Sequence, residues 1–191
     1  TNTGDGRPDG VYSTPVVFDV DRDGKREVIF AGWDQNLWIL DASTGAVKLK
    51  QPLLDTIWAT PYIADIDNDG IYEILLSADI TENPDAQTQT GGIFHVLHRD
   101  GSQNQPGFDS PVGDPKYPEL KGKFEEQVLW SSPIAKDIDA DGHLDIVYGT
   151  GNFFHDGRGS FVRVWNFDGF LKYYLETEGR TMATPLVADL D

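Results

Sequence analysis

Three nine-residue stretches hold carboxylates at a spacing that suits a metal ion: DVDRDGKRE at 19–27, DIDNDGIYE at 65–73 and DIDADGHLD at 137–145. Each has Asp at positions 1, 3 and 5, Gly at 6 and an acid at 9. The candidate ligands are therefore Asp19, Asp21, Asp23 and Glu27, then Asp65, Asp67, Asp69 and Glu73, then Asp137, Asp139, Asp141 and Asp145. Alternate carboxylates on a tight loop converge on one point, and the glycine permits the turn. Position 7 is Lys25, Ile71 or His143, three unrelated side chains, as expected where only the backbone carbonyl is a ligand. Oxygen-only coordination suits Ca²⁺, one ion per complete loop. Asp189 and Asp191 open a fourth copy.

Two competing readings are less economical. Asp and Gly both favour turns without any metal. Three copies in register, each with a fourth acid, exceed what a turn requires, and four carboxylates in one turn repel unless a cation intervenes. An EF-hand needs flanking helices and its last acid at position 12. Here the flanks are PVVF and VIF, PYIA and ILL, PIAK and IVY, short and β-branched, which predicts strands. Position 2 is Val20, Ile66 or Ile138, always apolar and expected in a core, whereas position 4 is Arg22, Asn68 or Ala140, expected to face water.

The elements that must position these loops recur with them, since the loops open 46, 72 and 52 residues apart. Residues 1–10 form a linker or the end of a preceding unit. The first unit spans 11–52, the second 53–127, the third 128–178, and 179–191 start a fourth. The first unit predicts strands at Val16–Phe18, Val28–Phe30, Leu37–Leu40 and Ala46–Lys50. Insertions at 79–91 and 103–127 lengthen the second unit, and a loop at 150–160 interrupts the third. Four short strands per repeat predict an all-β protein built of four-stranded antiparallel β-propeller blades. About three blades plus the start of another fall short of a standard ring, so the segment is expected to be part of a larger propeller. Tyr12, Trp58, Trp130 and Met182 each stand three residues before a proline and are expected to pack between blades.

These loops resemble the FG-GAP/VCBS repeat family, the calcium-loop propellers that include the integrin α-subunit head. The resemblance rests on Asp19 to Glu27, Asp65 to Glu73 and Asp137 to Asp145. It departs from the family where Phe-Gly and Gly-Ala-Pro would stand. Ser/Thr-Pro precedes each loop here, and Ala31-Gly32-Trp33, Ser77-Ala78-Asp79 and Tyr148-Gly149-Thr150 follow, closer to bacterial secreted members. The resemblance implies a binding, adhesion or scaffold module more often than a catalyst.

Composition narrows the partners. The formal net charge of −17 argues against nucleic acid. The loops hold 12 of the 32 acids. The chain has no cysteine and no apolar run long enough to span a membrane. Extracellular calcium modules bind at about 10⁻⁴–10⁻³ M, which favours a location outside the cell, at its surface or in the periplasm. A chain that opens on Thr1 leaves any signal peptide outside this segment. A protein or glycan partner would be met by the inserted loops 79–91, 103–127 and 150–160, with Tyr117, Phe124, Phe153, Phe154 and Arg158 as contact candidates.

Two catalytic alternatives remain at this level. A polysaccharide lyase or hydrolase would need clustered His, Tyr, Arg or acids. His95 and His98 are three apart on one predicted strand and so face opposite sides, His143 sits in a loop, and His155 stands alone. No catalytic cluster and no organic cofactor site is expected. A quinoprotein-type propeller is suggested only by Leu37 to Gly45, which occurs once.

Overall fold

The computed structural model describes residues 10–53, 56–80, 91–102, 130–151 and 160–189. The contact candidates Tyr117, Phe124, Phe153, Phe154 and Arg158, together with His155 and Asp191, lie outside these residues.

Short β-branched runs between polar turns form strands, as their composition dictates. The first unit contains β1 (Val16–Phe18), β2 (Glu27–Ala31), β3 (Asn36–Asp41) and β4 (Val47–Pro52). The second contains β5 (Tyr62–Ala64), β6 (Glu73–Ile80) and β7 (Gly91–His98). The third contains β8 (Ile134–Lys136), β9 (Asp145–Gly149), β10 (Phe161–Trp165) and β11 (Leu171–Glu176). Each unit is one antiparallel meander, ordered β1-β2-β3-β4, β5-β6-β7 and β8-β9-β10-β11. This is an all-β fold, a partial β-propeller. Among the described residues the second sheet has three strands, and 182–189 add none.

The first insertion proves narrower than its expected bounds. The β6–β7 ladder continues through Asp79↔Gly92 and Ile80↔Gly91, so backbone pairing claims both ends of 79–91. In the first unit β1 has its expected bounds, β2 and β3 each gain one residue at both ends, and β4 starts one residue later and ends two residues later than expected.

Stacking of the sheets follows from their burial patterns. In β2, Ile29 and Ala31 are fully buried while Val28 and Phe30 are half-buried, the alternation of a strand with one covered face. In β6, Ile74, Leu75 and Leu76 are all fully buried. Period two sends Ile74 and Leu76 to one side and Leu75 to the other. Ile74 and Leu76 pack in one cluster with Ile29, Ala31, Leu37 and Ile39 of the first sheet. Leu75, Phe94 and Val96 pack in another with Ile146, Tyr148 and Trp165 of the third. The second sheet is thus sandwiched between its neighbours, and each fully buried Leu or Ile contributes about 1.5–3 kcal/mol relative to exposure.

The Ser/Thr-Pro lead-ins join consecutive units. The Thr14 amide donates to Thr60 Oγ1 at 3.0 Å, and the Thr60 amide donates to Ser132 Oγ at 2.9 Å. Proline fixes the backbone just after each hydroxyl, so one residue offers its amide to the next unit and its hydroxyl to the previous one. The residues two places earlier stack beside this ladder. Tyr12 lies 4.9 Å from Trp58, and Trp58 lies 4.9 Å from Trp130, ring centroid to centroid. Trp33 adds contacts of 4.7 Å to both Tyr12 and Trp58. Trp58 thus packs between its neighbours, whereas Tyr12 keeps its ring contacts while 61% exposed and Met182 is 54% exposed.

The ladder yields a test. Thr60→Val keeps the shape and strands the Thr14 amide, so it should cost about 1–2 kcal/mol in denaturant unfolding. Thr14→Val, whose hydroxyl accepts no bond from a described residue, should cost less.

Candidate metal centres at the sheet corners

Each acidic loop joins the first two strands of its sheet, and the three loops share one hydrogen-bond scheme. The position 6 amide donates to the position 1 carboxylate: Gly24 to Asp19 at 2.9 Å, Gly70 to Asp65 at 3.1 Å and Gly142 to Asp137 at 3.0 Å. The position 7 amide donates to position 5: Lys25 to Asp23, Ile71 to Asp69 and His143 to Asp141, at 2.7–2.9 Å. The position 2 amide donates to position 9: Val20 to Glu27, Ile66 to Glu73 and Ile138 to Asp145, at 2.9–3.3 Å. Gly24, Gly70 and Gly142 have φ of 85°, 89° and 91°, the left-handed region that the turn demands of position 6. Arg22, Asn68 and Ala140 at position 4 also have positive φ, between 58° and 62°, which the Arg22 and Ala140 side chains do not announce.

This scheme gathers carboxylate oxygens within 4.8 Å of one another: Asp19, Asp21 and Glu27; Asp65, Asp67 and Glu73; Asp137, Asp139 and Asp141. Asp23, Asp69 and Asp145 stand in the same loops but outside those groups. Lys25 and Ile71 are exposed, and the His143 ring stacks on Phe167 at 4.4 Å, so the position 7 side chains share no role. Asp189 is exposed. At position 2, Val20 and Ile66 are buried and Ile138 is half-buried. Position 4 is exposed in all three loops, but it also ties loops together. Arg22 reaches Asp65 Oδ2 at 3.5 Å, and the Asn68 amide donates to the Gly142 carbonyl.

Cations that the acid spacing does not reveal lie among these carboxylates. Lys48 Nζ is 2.5 Å from Glu27 Oε1 and 3.4 Å from Asp21 Oδ2. Lys172 Nζ is 2.6 Å from both Asp145 Oδ1 and Asp139 Oδ2. Both lysines are the extra residue of a β-bulge. Ile39↔Leu49 is followed by Leu40↔Val47, which skips Lys48, and Val164↔Tyr173 by Trp165↔Leu171, which skips Lys172. A bulge re-aims the side chain it carries. Each lysine is also the third residue after a turn glycine, Gly45 or Gly169, a signal present in the sequence.

The charges respond accordingly. The Glu27 carboxylate holds the Lys48 ammonium above its usual pKa. Burial raises Asp21, but the Asp23 amide and Lys48 outweigh it and leave the carboxyl below its ordinary value. Lys172 lowers Asp139. The middle loop differs. Burial, with Asp67, Asp69 and Asp65 close by, pushes Glu73 up to about 7 despite the amide of Ile66. Asp65 Oδ1 and Glu73 Oε1 are buried with no hydrogen-bond partner among the described residues. His98 Nε2 stands 3.7 Å from Glu73 Oε1. Buried carboxylate oxygens without donors are what a hard cation with oxygen ligands would satisfy, so the donor set fits Ca²⁺.

One comparison with known proteins falls on the first two of these loops. The model of the FG-GAP-like repeat matches residues 19–76, which take in the first two acidic loops. No curated protein matches the chain. Among solved structures, the chain is similar to that of BBS1N in complex with ARL6DN, soaked with lead, with a TM-score of 0.56 and 12% identity. That match covers 95% of this chain and 48% of the other, so this chain spans about half its length, and the likeness shows the fold alone. The Vibrio cholerae biofilm matrix protein Bap1 matches with a TM-score of 0.40 and 17% identity, over 86% of this chain and 28% of that one.

His95 lies in β7 of the second sheet. His95 is buried, neither ring nitrogen has a partner among the described residues, and burial lowers its pKa to about 4. A base depressed from 6.5 contributes stability that is complete above pH 6.5 and lost as the pH falls towards 4. His95→Leu should therefore gain on the wild type over that interval by up to about 3 kcal/mol, read as the difference between their unfolding free energies at pH 7 and pH 4.

Proposed function

We propose that the chain is a calcium-stabilised, extracellular propeller module that binds or scaffolds a protein or glycan. The observation that carries the proposal is the gathering of carboxylate oxygens within 4.8 Å of one another at the same corner of three successive sheets, from positions 1, 3 and 9 in the first two loops and 1, 3 and 5 in the third. The FG-GAP-like repeat over residues 19–76 supports it. The residues that would hold the ions are Asp19, Asp21 and Glu27, Asp65, Asp67 and Glu73, and Asp137, Asp139 and Asp141. Calcium would supply charge neutralisation and rigid loop closure, and no chemistry on a substrate.

Extracellular calcium concentrations suit weak oxygen-ligand sites, which would be empty in cytosol. Among the described residues no helix is long and apolar enough to cross a membrane. A polysaccharide lyase or hydrolase finds little support, because His95 is sealed in the core and His98 lies against Glu73. The Asp41 carboxylate of the quinoprotein-like stretch is occupied by Ser43 and Thr44, each donating amide and hydroxyl, as an ordinary turn cap.

The first test is thermal unfolding with and without chelator. A site of about 10⁻⁴ M filled at about 10 mM Ca²⁺ stabilises by about 2.7 kcal/mol. EDTA should lower the melting temperature by several degrees and excess Ca²⁺ restore it, while Mg²⁺ restores it less. A melt indifferent to EDTA would refute the calcium reading. Deleting 103–127 should abolish partner capture and leave the calcium shift in place, which separates the binding loops from the metal loops.

A further inference from the structure

We infer that the three loops are not equivalent: the middle loop is the high-affinity cation site, while the first and third carry a built-in ammonium counter-ion that metal must displace. This rests on reading the loops as cation sites, and adds which loop fills first and which residues decide it.

The argument compares one atom across three copies. Position 9 offers one oxygen to the loop's own position 2 amide and keeps the other for a cation. In the first loop that second oxygen, Glu27 Oε1, receives Lys48 Nζ at 2.5 Å. In the third, Asp145 Oδ1 receives Lys172 Nζ at 2.6 Å. In the middle loop the equivalent Glu73 Oε1 is fully buried and has no hydrogen-bond partner among the described residues. Asp65 Oδ1 in the same group is also buried and without one.

Among the described residues the charged groups facing the middle loop do not fill that place. Arg22 meets the other Asp65 oxygen, Oδ2, at 3.5 Å from a half-exposed position. His98 Nε2, at 3.7 Å from Glu73 Oε1, is beyond hydrogen-bond distance. Arg99 donates to the backbone carbonyl of Asp21. In the first and third units the lysine stands three residues after the turn glycine, and three residues after Gly101 the sequence has Asn104, which is neutral.

Physically, a buried carboxylate already paired with an ammonium must lose that pair before a divalent ion can use it. A buried carboxylate with no ammonium on it bears a desolvation cost that a divalent ion relieves without first breaking an ion pair. The same acidic motif therefore has two settings, and in the first and third sheets the bulge residue Lys48 or Lys172 sets the paired one.

Calcium binding by the whole chain, followed by calorimetric titration at pH 7.5, tests this. The wild type should show one tight class holding a single ion and a weaker class holding the rest. Lys48→Met and Lys172→Met should each move one ion from the weak class to the tight class, with affinity up about tenfold. Asp65→Asn should remove the tight class and spare the weak one. A metal-free readout guards against simple misfolding: Lys48→Met should melt below the wild type in EDTA, and excess Ca²⁺ should close the gap. Three ions bound with equal affinity, or Lys48→Met leaving the isotherm unchanged, would overturn the inference while keeping the loops as calcium sites. No binding at any loop would overturn both.

Discussion

Like charges held within one turn of backbone are the constraint around which this protein is built. Four carboxylates per loop repel, yet the loop closes because backbone amides point into it and, at two of the three corners, because a lysine ammonium stands beside it. The amides of positions 2, 6 and 7 each donate to a carboxylate, so part of the negative charge is consumed in making the turn. The remainder needs a cation, and the chain supplies a lysine at two corners. The strands, their bulges and the stacking of the sheets all serve to bring those groups to one place.

The middle sheet shows how packing and charge are joined. Ile74 and Leu76 are held by the first sheet and Leu75 by the third, all fully buried. Glu73 immediately precedes them in β6 and shares their burial. A carboxylate anchored to so rigid a strand has no freedom to swing into water. Its charge must be met in place, and this links the apolar core to the ion chemistry at its edge.

Much of this was legible in the sequence because it is local. Aspartates at alternate positions, a glycine that must adopt positive φ, and short β-branched flanks declare the loops and strands wherever they occur. The Asp-Gly pairs at 100–101 and 168–169 are turn signals of the same local kind, and Gly101 and Gly169 take φ of 80° and 86°. What escaped depends on partners far apart in the chain. Lys48 meets Glu27 across two strands, and only the bulge that skips it brings it there. Thr60 meets Ser132 across 72 residues. The positive φ of Arg22 and Ala140 is imposed by the loop as a whole, since of the three position 4 residues only Asn68 is of a type that favours it. Ser/Thr-Pro was visible in every unit, but its hydroxyl ladder becomes meaningful only once units lie side by side.

The most direct measurement is anomalous diffraction from crystals of the protein grown in millimolar calcium. The account requires an anomalous peak among Asp65, Asp67 and Glu73, at a corner of a four-stranded or three-stranded sheet flanked by its neighbours. Well-ordered carboxylates there with no peak, at a calcium concentration typical of the extracellular space, would contradict it.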